Sequence, residues 1–175
     1  MPSLAPVLEM YQDVLDESGS AVAYCGINIP NVAYTGLLAY VFYGHPIGYK
    51  RMTKGTMWRD DAQSYLGYRN ELANSLRAKY PSLVQPEPPP TKEKKARALW
   101  NKEQAKTVFA LYVDVYAGGG QVGDWDNFYK AVADSIQLSG IVSNDRQIKT
   151  CFGGSVFVDK ENPRIEFALF RGELS

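Results

Sequence analysis

Two aspartates two residues apart, Asp124 and Asp126, a lysine one helical turn further on, Lys130, and a third carboxylate, Asp145, carry the chemistry legible in this chain. Gathered in one place, the three carboxylates would be unstable without a cation. Two carboxylates ~4 Å apart at an effective dielectric of ~20 repel by about 4 kcal/mol, so one takes a proton or a divalent metal sits between them. All-oxygen ligation suits a hard ion, Mg²⁺ with Mn²⁺ as a substitute, rather than zinc. His45 is the single histidine, so a multi-histidine metal site is impossible, and a Ser-His-Asp or Cys-His mechanism would rest on that one residue. Elimination therefore points the same way, to carboxylate and metal chemistry of the kind that cleaves phosphodiesters.

The residues after the Gly-rich run AGGGQVG read as the helix that must position this group. Phe128, Ala131, Val132, Ser135 and Ile136 recur at helical spacing on one side, and Asp126, Asn127, Lys130, Asp134 and Gln137 on the other. Asp126 or Asn127 is the expected N-cap, and the helix N-terminus carries partial positive charge suited to phosphate. A plainer reading competes: a capped surface helix in which Lys130 and Asp134 form an ordinary i,i+4 pair. An EF-hand does not fit, because its fifth, sixth and twelfth positions would be Phe128, Tyr129 and Ser135. A haloacid-dehalogenase-type phosphatase would want Thr or Val where Phe128 stands, and the motif near the amino terminus.

Taken together, DWDNFYKAVADSI followed by GIVSNDRQI resembles the RusA family of Holliday junction resolvases. That family's pattern is D-x-D-N, a Lys four residues after the second Asp, an Asp four further on, and D/N-D-x-Q after a helix and turn. The resemblance implies that Asp124, Asp126 and Asp145 are metal-binding carboxylates and Lys130 the catalytic lysine, with Asn127, Asp134 and Gln147 at other motif positions. Asn144 departs from the pattern where the family also uses Asp. Resemblance in element order runs from about 38 to 171, strong at the motif and loose before it. It implies an Mg²⁺-dependent endodeoxyribonuclease that resolves four-way DNA junctions by paired nicks, leaving a 5′-phosphate, and that acts as a homodimer in recombination and repair. Two alternatives stay open: a non-catalytic branched-DNA-binding protein of the same fold, and a metal nuclease for other branched nucleic acid.

The surrounding elements read as one α+β domain spanning 1–175, a mixed sheet with helices on one face, in the order α-β-α-β-α-β-β. Residues 5–16 have the spacing of an amphipathic helix, and 36–43 of a strand. A long helix capped by Asp60 or Asp61 follows, with Tyr65, Leu66, Tyr68, Leu72, Leu76 and Tyr80 as its apolar face. PEPPP at 86–90 reads as extended chain, and 91–106 as a charged helix with Leu99 and Trp100 as its apolar contact. Residues 107–116 alternate as a strand, with Phe109, Leu111, Val113 and Val115 on one face and Asp114 on the other, either solvent-facing or an outer ligand. Residues 146–152, 155–158 and 165–170 read as strands, with Gly153 and Gly154 as a bend inside a hairpin. The stretches 1–35 and 81–106 look like additions to the core domain.

With 175 residues and 45% apolar content, the chain is long enough to bury a single core. No run reaches the ~18 apolar residues of a membrane span, and no signal peptide is evident, so a soluble, cytoplasmic protein is expected. Cys25 and Cys151 lack metal or redox spacing and read as reduced structural thiols. A formal net charge of zero is unexpected for a protein that must neutralise phosphates, so distribution has to matter. Tyr49, Lys50, Arg51 and Lys54 form one basic, aromatic loop, either a phosphate contact or a solvated loop, and Asn127, Arg146 and Gln147 beside the carboxylates are further candidate DNA contacts. Lys92, Lys94, Lys95, Arg97, Lys102 and Lys106 form a second group, interrupted by Glu93 and Glu103 and better read as a solvated helical face.

Overall fold

A computed structural model describes residues 32, 34–120, 123–151 and 154–173. The expected helix at 5–16 and Cys25 lie outside the described residues. In chain order the elements are β1 (Tyr34–Tyr43), α1 (Asp60–Lys79), α2 (Lys94–Gln104), β2 (Thr107–Ala117), α3 (Trp125–Ser139), β3 (Ile148–Cys151), β4 (Val156–Val158) and β5 (Arg164–Glu173). Short 3₁₀ turns follow α1 at Pro81–Leu83 and precede β3 at Asp145–Gln147. The fold is α+β, with one mixed sheet.

The sheet runs β1-β5-β2-β3, and β4 pairs further along the same edge of β2 as β3. β5 is antiparallel to both β1 and β2, whereas β3 and β4 are parallel to β2. The expected hairpin into the last strand is therefore absent. β5 carries the run FALF, buried on both faces, and such a strand needs neighbours on both sides. It takes the central place between β1 and β2, with Leu169 opposite both Leu38 and Leu111. The three-residue β4 is left at the edge.

Alternation in β2 places Phe109, Leu111, Val113 and Val115 on the face covered by α1 and α3. There they meet Leu38 and Phe42 of β1, Ile165, Phe167 and Leu169 of β5, Leu72 and Leu76 of α1, and Val132 and Ile136 of α3. The opposite face holds a second buried group that includes Tyr34, Val108, Ala110, Ala168 and Phe170. Helix α1 buries the predicted stripe Tyr65, Tyr68, Leu72 and Leu76. It starts at Asp60 without a side-chain cap, contrary to the capping expected of Asp60 or Asp61. Arg77 of α1 donates to the carbonyls of Leu138 and Ser139, so a cation meets the negative end of α3. Gly140, at φ 81°, closes α3 in the left-handed conformation.

Helix α2 buries none of its residues. Leu99 is exposed rather than an apolar contact, while Trp100 lines a shallow hollow with Val84, Pro86 and Pro88. Cys151 is buried. No helix among the described residues is long and apolar enough to cross a membrane.

Candidate nuclease site

The geometry begins at the entry to α3. Asp124 is the N-cap residue, in extended conformation, and its carboxylate makes no capping bond. The cap thus lies two or three residues before the expected Asp126 or Asn127. Asp126 sits in the first turn, and both carboxylates are exposed without a side-chain hydrogen bond or ion pair among the described residues.

Several contacts fix this helix end. Trp125 Nε1 donates to the carbonyl of Val113 at 2.9 Å, Phe128 enters the core, and the backbone N–H of Tyr49 donates to the carbonyl of Asn127 at 2.8 Å. Gly48 permits that approach, since a Cβ there would stand 3.2 Å from Cβ of Asn127. The loop carrying Gly48 and Tyr49 is thereby laid across the first turn of α3.

Lys130 does not pair with Asp134. Its Nζ lies 3.6 Å from the centre of the Tyr49 ring, a cation–π contact worth about 0.5–2 kcal/mol depending on exposure. Tyr49 in turn meets Tyr65 edge-on, with centres 5.5 Å apart, and Tyr65 donates to Asp134 Oδ2 at 2.6 Å. Burial, then the bond to Asp134, pushes the Tyr65 hydroxyl well above the usual tyrosine range. Asp134 therefore positions α1 against α3. The plainer reading of Lys130 and Asp134 as an exposed ion pair is overturned, and the Lys130 ammonium is left facing Tyr49 on the same helical face as Asp126.

Asp145 lies elsewhere. It occupies an exposed 3₁₀ turn fixed by a capping box, in which Asn144 Oδ1 accepts from Arg146 N–H and Gln147 Oε1 accepts from Asn144 N–H. Gln147 is buried, 7% exposed, and its amide donates to the carbonyls of Gln104 and Thr107. Its side chain is thus committed to holding the Asp145 turn against the start of β2. Sequence reasoning placed Gln147 among DNA contacts, and missed this positioning role although N-D-x-Q has the spacing of a capping box.

The two ends are far apart within one chain. Asp124 and Asp126 start α3, whose 15 residues rise about 20 Å. Trp125 touches β2 at Val113 and the Asp145 turn touches it at Thr107, again about 20 Å along a strand. Among the described residues, no three His, Cys, Asp or Glu side chains stand close enough to hold a metal ion. The carboxylate of Asp114 accepts from Tyr112 O–H at 2.7 Å and from Ser155 N–H at 3.0 Å, so it anchors the start of β4 rather than simply facing solvent.

Lys50, Arg51 and Lys54 are exposed on the loop that follows Tyr49, and Arg146 is exposed beside Asp145. Arg59 is also exposed, at the entry to α1, and extends this basic loop beyond the residues singled out from sequence. Lys106, in the second basic group, pairs with Glu103 at 2.9 Å, as a solvated helical face would.

Against known families, the model described as endodeoxyribonuclease RusA matches residues 48–169. That interval begins at Gly48 and includes the α3 entry, the capping-box turn and most of β5. A search of curated proteins finds no significant match.

Proposed function

Because the chain belongs to the RusA family of endodeoxyribonucleases, we propose that it resolves four-way DNA junctions and that two copies complete each active site. The observation that carries this reading is the placement of Asp124, Asp126 and Lys130 at one end of α3 and Asp145 at the other. A two-fold axis perpendicular to α3 and passing beside its middle sets the helices of two copies antiparallel, the entry of one against the end of the other. Asp145 of a second copy then approaches Asp124 and Asp126 of the first, and the reverse pairing forms at the same time. Two equivalent sites match a substrate that requires two symmetric nicks, and the homodimer becomes a condition of chemistry.

The donor set fits a hard divalent ion. Asp124 and Asp126 supply exposed carboxylate oxygens with no competing cation among the described residues, and Asp145 is exposed on a turn fixed by the capping box. These three would hold Mg²⁺, which supplies charge neutralisation on the scissile phosphate and a more acidic bound water. Lys130 offsets charge developing on the phosphate oxygens, and Tyr49 restricts where its ammonium can go. Lys50, Arg51, Lys54 and Arg146 hold flanking phosphates, with Asn127 and the Tyr49 edge at the rim of the same end of α3. Nicking leaves a 5′-phosphate and a 3′-hydroxyl, the products of a recombination and repair enzyme.

Mixing two inactive variants tests the shared site. Asp126→Asn and Asp145→Asn are each expected to bind junction DNA without cutting it. A heterodimer of the two, isolated with a different tag on each chain, carries one site with both substitutions and one with neither. It should nick a labelled junction once in Mg²⁺ and not in chelator. Inactive heterodimers would refute a site shared between copies, and a protein that stays monomeric in light scattering would remove the basis for paired cleavage.

A further inference from the structure

Among the large apolar side chains of the described residues, Trp58 is the most exposed, at 75%. A single exposed apolar residue is ordinary, but this indole is held out on a rigid support. Thr53 and Thr56 close a turn just before it, through Thr53 N–H to Thr56 Oγ1 at 2.9 Å and Thr56 N–H to the Thr53 carbonyl at 3.0 Å. Gln63 of α1 grips both neighbours of Trp58. Its amide donates to the carbonyl of Met57 at 2.6 Å, and its backbone N–H to the carbonyl of Arg59 at 2.9 Å. The ring itself has no hydrogen bond or ring partner among the described residues.

Charge selects the occupant. From 44 to 59 the chain has no acidic residue, and Lys50, Arg51, Lys54 and Arg59 are all exposed. The same loop reaches Lys130 through Tyr49 and α1 through the Tyr49–Tyr65 contact, so it borders the entry to α3. An exposed indole that ends a cationic loop, with Asp60 and Asp61 following only at the start of α1, fits a nucleic-acid strand: cations take the backbone and the ring takes a base face. Bases within duplex are already stacked on one another. Only a base freed at a branch point gains from the indole.

Resting on the resolvase reading, we infer that Trp58 stacks on an unpaired base at the branch point and so supplies preference for branched over linear DNA. Lys50, Arg51, Lys54 and Arg59 grip the phosphates of that strand without regard to its structure.

Binding in chelator, with no cleavage to complicate it, tests this. The parent, Trp58→Ala, Trp58→Phe and Lys54→Ala are titrated onto a four-way junction carrying a fluorescent adenine analogue at the branch point, and onto duplex of the same sequence. Trp58→Ala is expected to lose about tenfold or more in junction affinity, to leave duplex affinity unchanged and to abolish the change in analogue fluorescence. Trp58→Phe should keep most of both, and Lys54→Ala should weaken both substrates alike. Equal effects of Trp58→Ala on junction and duplex, or none, would overturn the inference, as would conversion of the protein to monomer, since the indole would then belong between copies. If the parent itself does not prefer the junction, the resolvase reading fails first, a result distinct from a parent that prefers it and a Trp58→Ala that does so equally.

Discussion

Replacing Gly154 by alanine should unseat the entry to α3 from a distance in sequence. Gly154 stands between β3 and β4, where the edge of β2 has no partner strand among the described residues. At φ 139° its backbone crosses Val113 so closely that an added Cβ would lie 1.7 Å from the Val113 carbonyl oxygen and 2.9 Å from Trp125 Nε1. That oxygen is the acceptor that holds Trp125, and with it the N-cap Asp124. Three costs add: a side chain at positive φ, about 1–3 kcal/mol; overpacking against backbone, about 1–3 kcal/mol; and a buried carbonyl deprived of its donor, about 1–3 kcal/mol. Relaxation of one relieves part of another, so the expected loss is about 3–6 kcal/mol, a large fraction of the ~5–15 kcal/mol of a typical domain. Urea unfolding followed by tryptophan fluorescence measures it, and junction cleavage below the transition should fall as Asp124 and Asp126 move. A loss below about 1 kcal/mol would refute the argument that this crossing anchors the site.

Gly67, by contrast, lies inside α1 with open space around it, so Gly67→Ala is expected to raise stability by about 0.5–1 kcal/mol in the same urea assay. Tyr68 is buried, and its hydroxyl has no hydrogen-bond partner among the described residues, so Tyr68→Phe should stabilise by about 1 kcal/mol, read as a higher melting temperature. Burial holds the hydroxyls of Tyr65 and Tyr68 above the ordinary 10.0, aided by the bond to Asp134 for Tyr65 and the charge of Glu71 for Tyr68. The folded state therefore binds these protons more tightly than the unfolded chain. Their contribution is full below pH 10.0 and is lost as pH rises above it, and the double Phe variant should flatten that alkaline fall in the urea midpoint. Asp126→Asn should abolish nicking yet keep or tighten junction binding, since one repulsive charge is gone; undiminished turnover would remove the site assignment.

What was legible in the sequence was periodic. The alternation in β2 and the apolar stripes of α1 and α3 give the right elements and the right buried faces, because side-chain period alone decides which face can leave water. Pairing was not legible, since β4 and β5 have the spacing of a hairpin and only the burial of Phe167 and Phe170 on opposite faces of β5 shows that it must lie inside the sheet. Gln147 was misread because a polar side chain looks the same in sequence whether it faces DNA or a buried carbonyl, and Asp134 because its spacing from Lys130 says nothing of the Tyr65 hydroxyl that reaches it from α1. Trp58 escaped notice because an exposed aromatic in a loop belongs to no period.

The separation of Asp145 from its expected partners comes from the path the chain takes after α3, not from its length. A helix from Trp125 that ends at the left-handed Gly140 carries the chain about 20 Å from Asp126. The residues from Gly140 to Asp145 could cover most of that distance if fully extended, but Ile141 and Val142 are buried in the core and the Asp145 turn is held against the start of β2. Asp145 therefore stays at the far end of α3. If Asp124, Asp126 and Asp145 act on one metal, as proposed, a lone copy holds two half-sites and cuts nothing, and cleavage appears only on assembly. Activity should then fall with the square of protein concentration below the dimer dissociation constant. First-order dependence on protein across that range, with dimer dissociation confirmed by light scattering, would show instead that a single copy suffices.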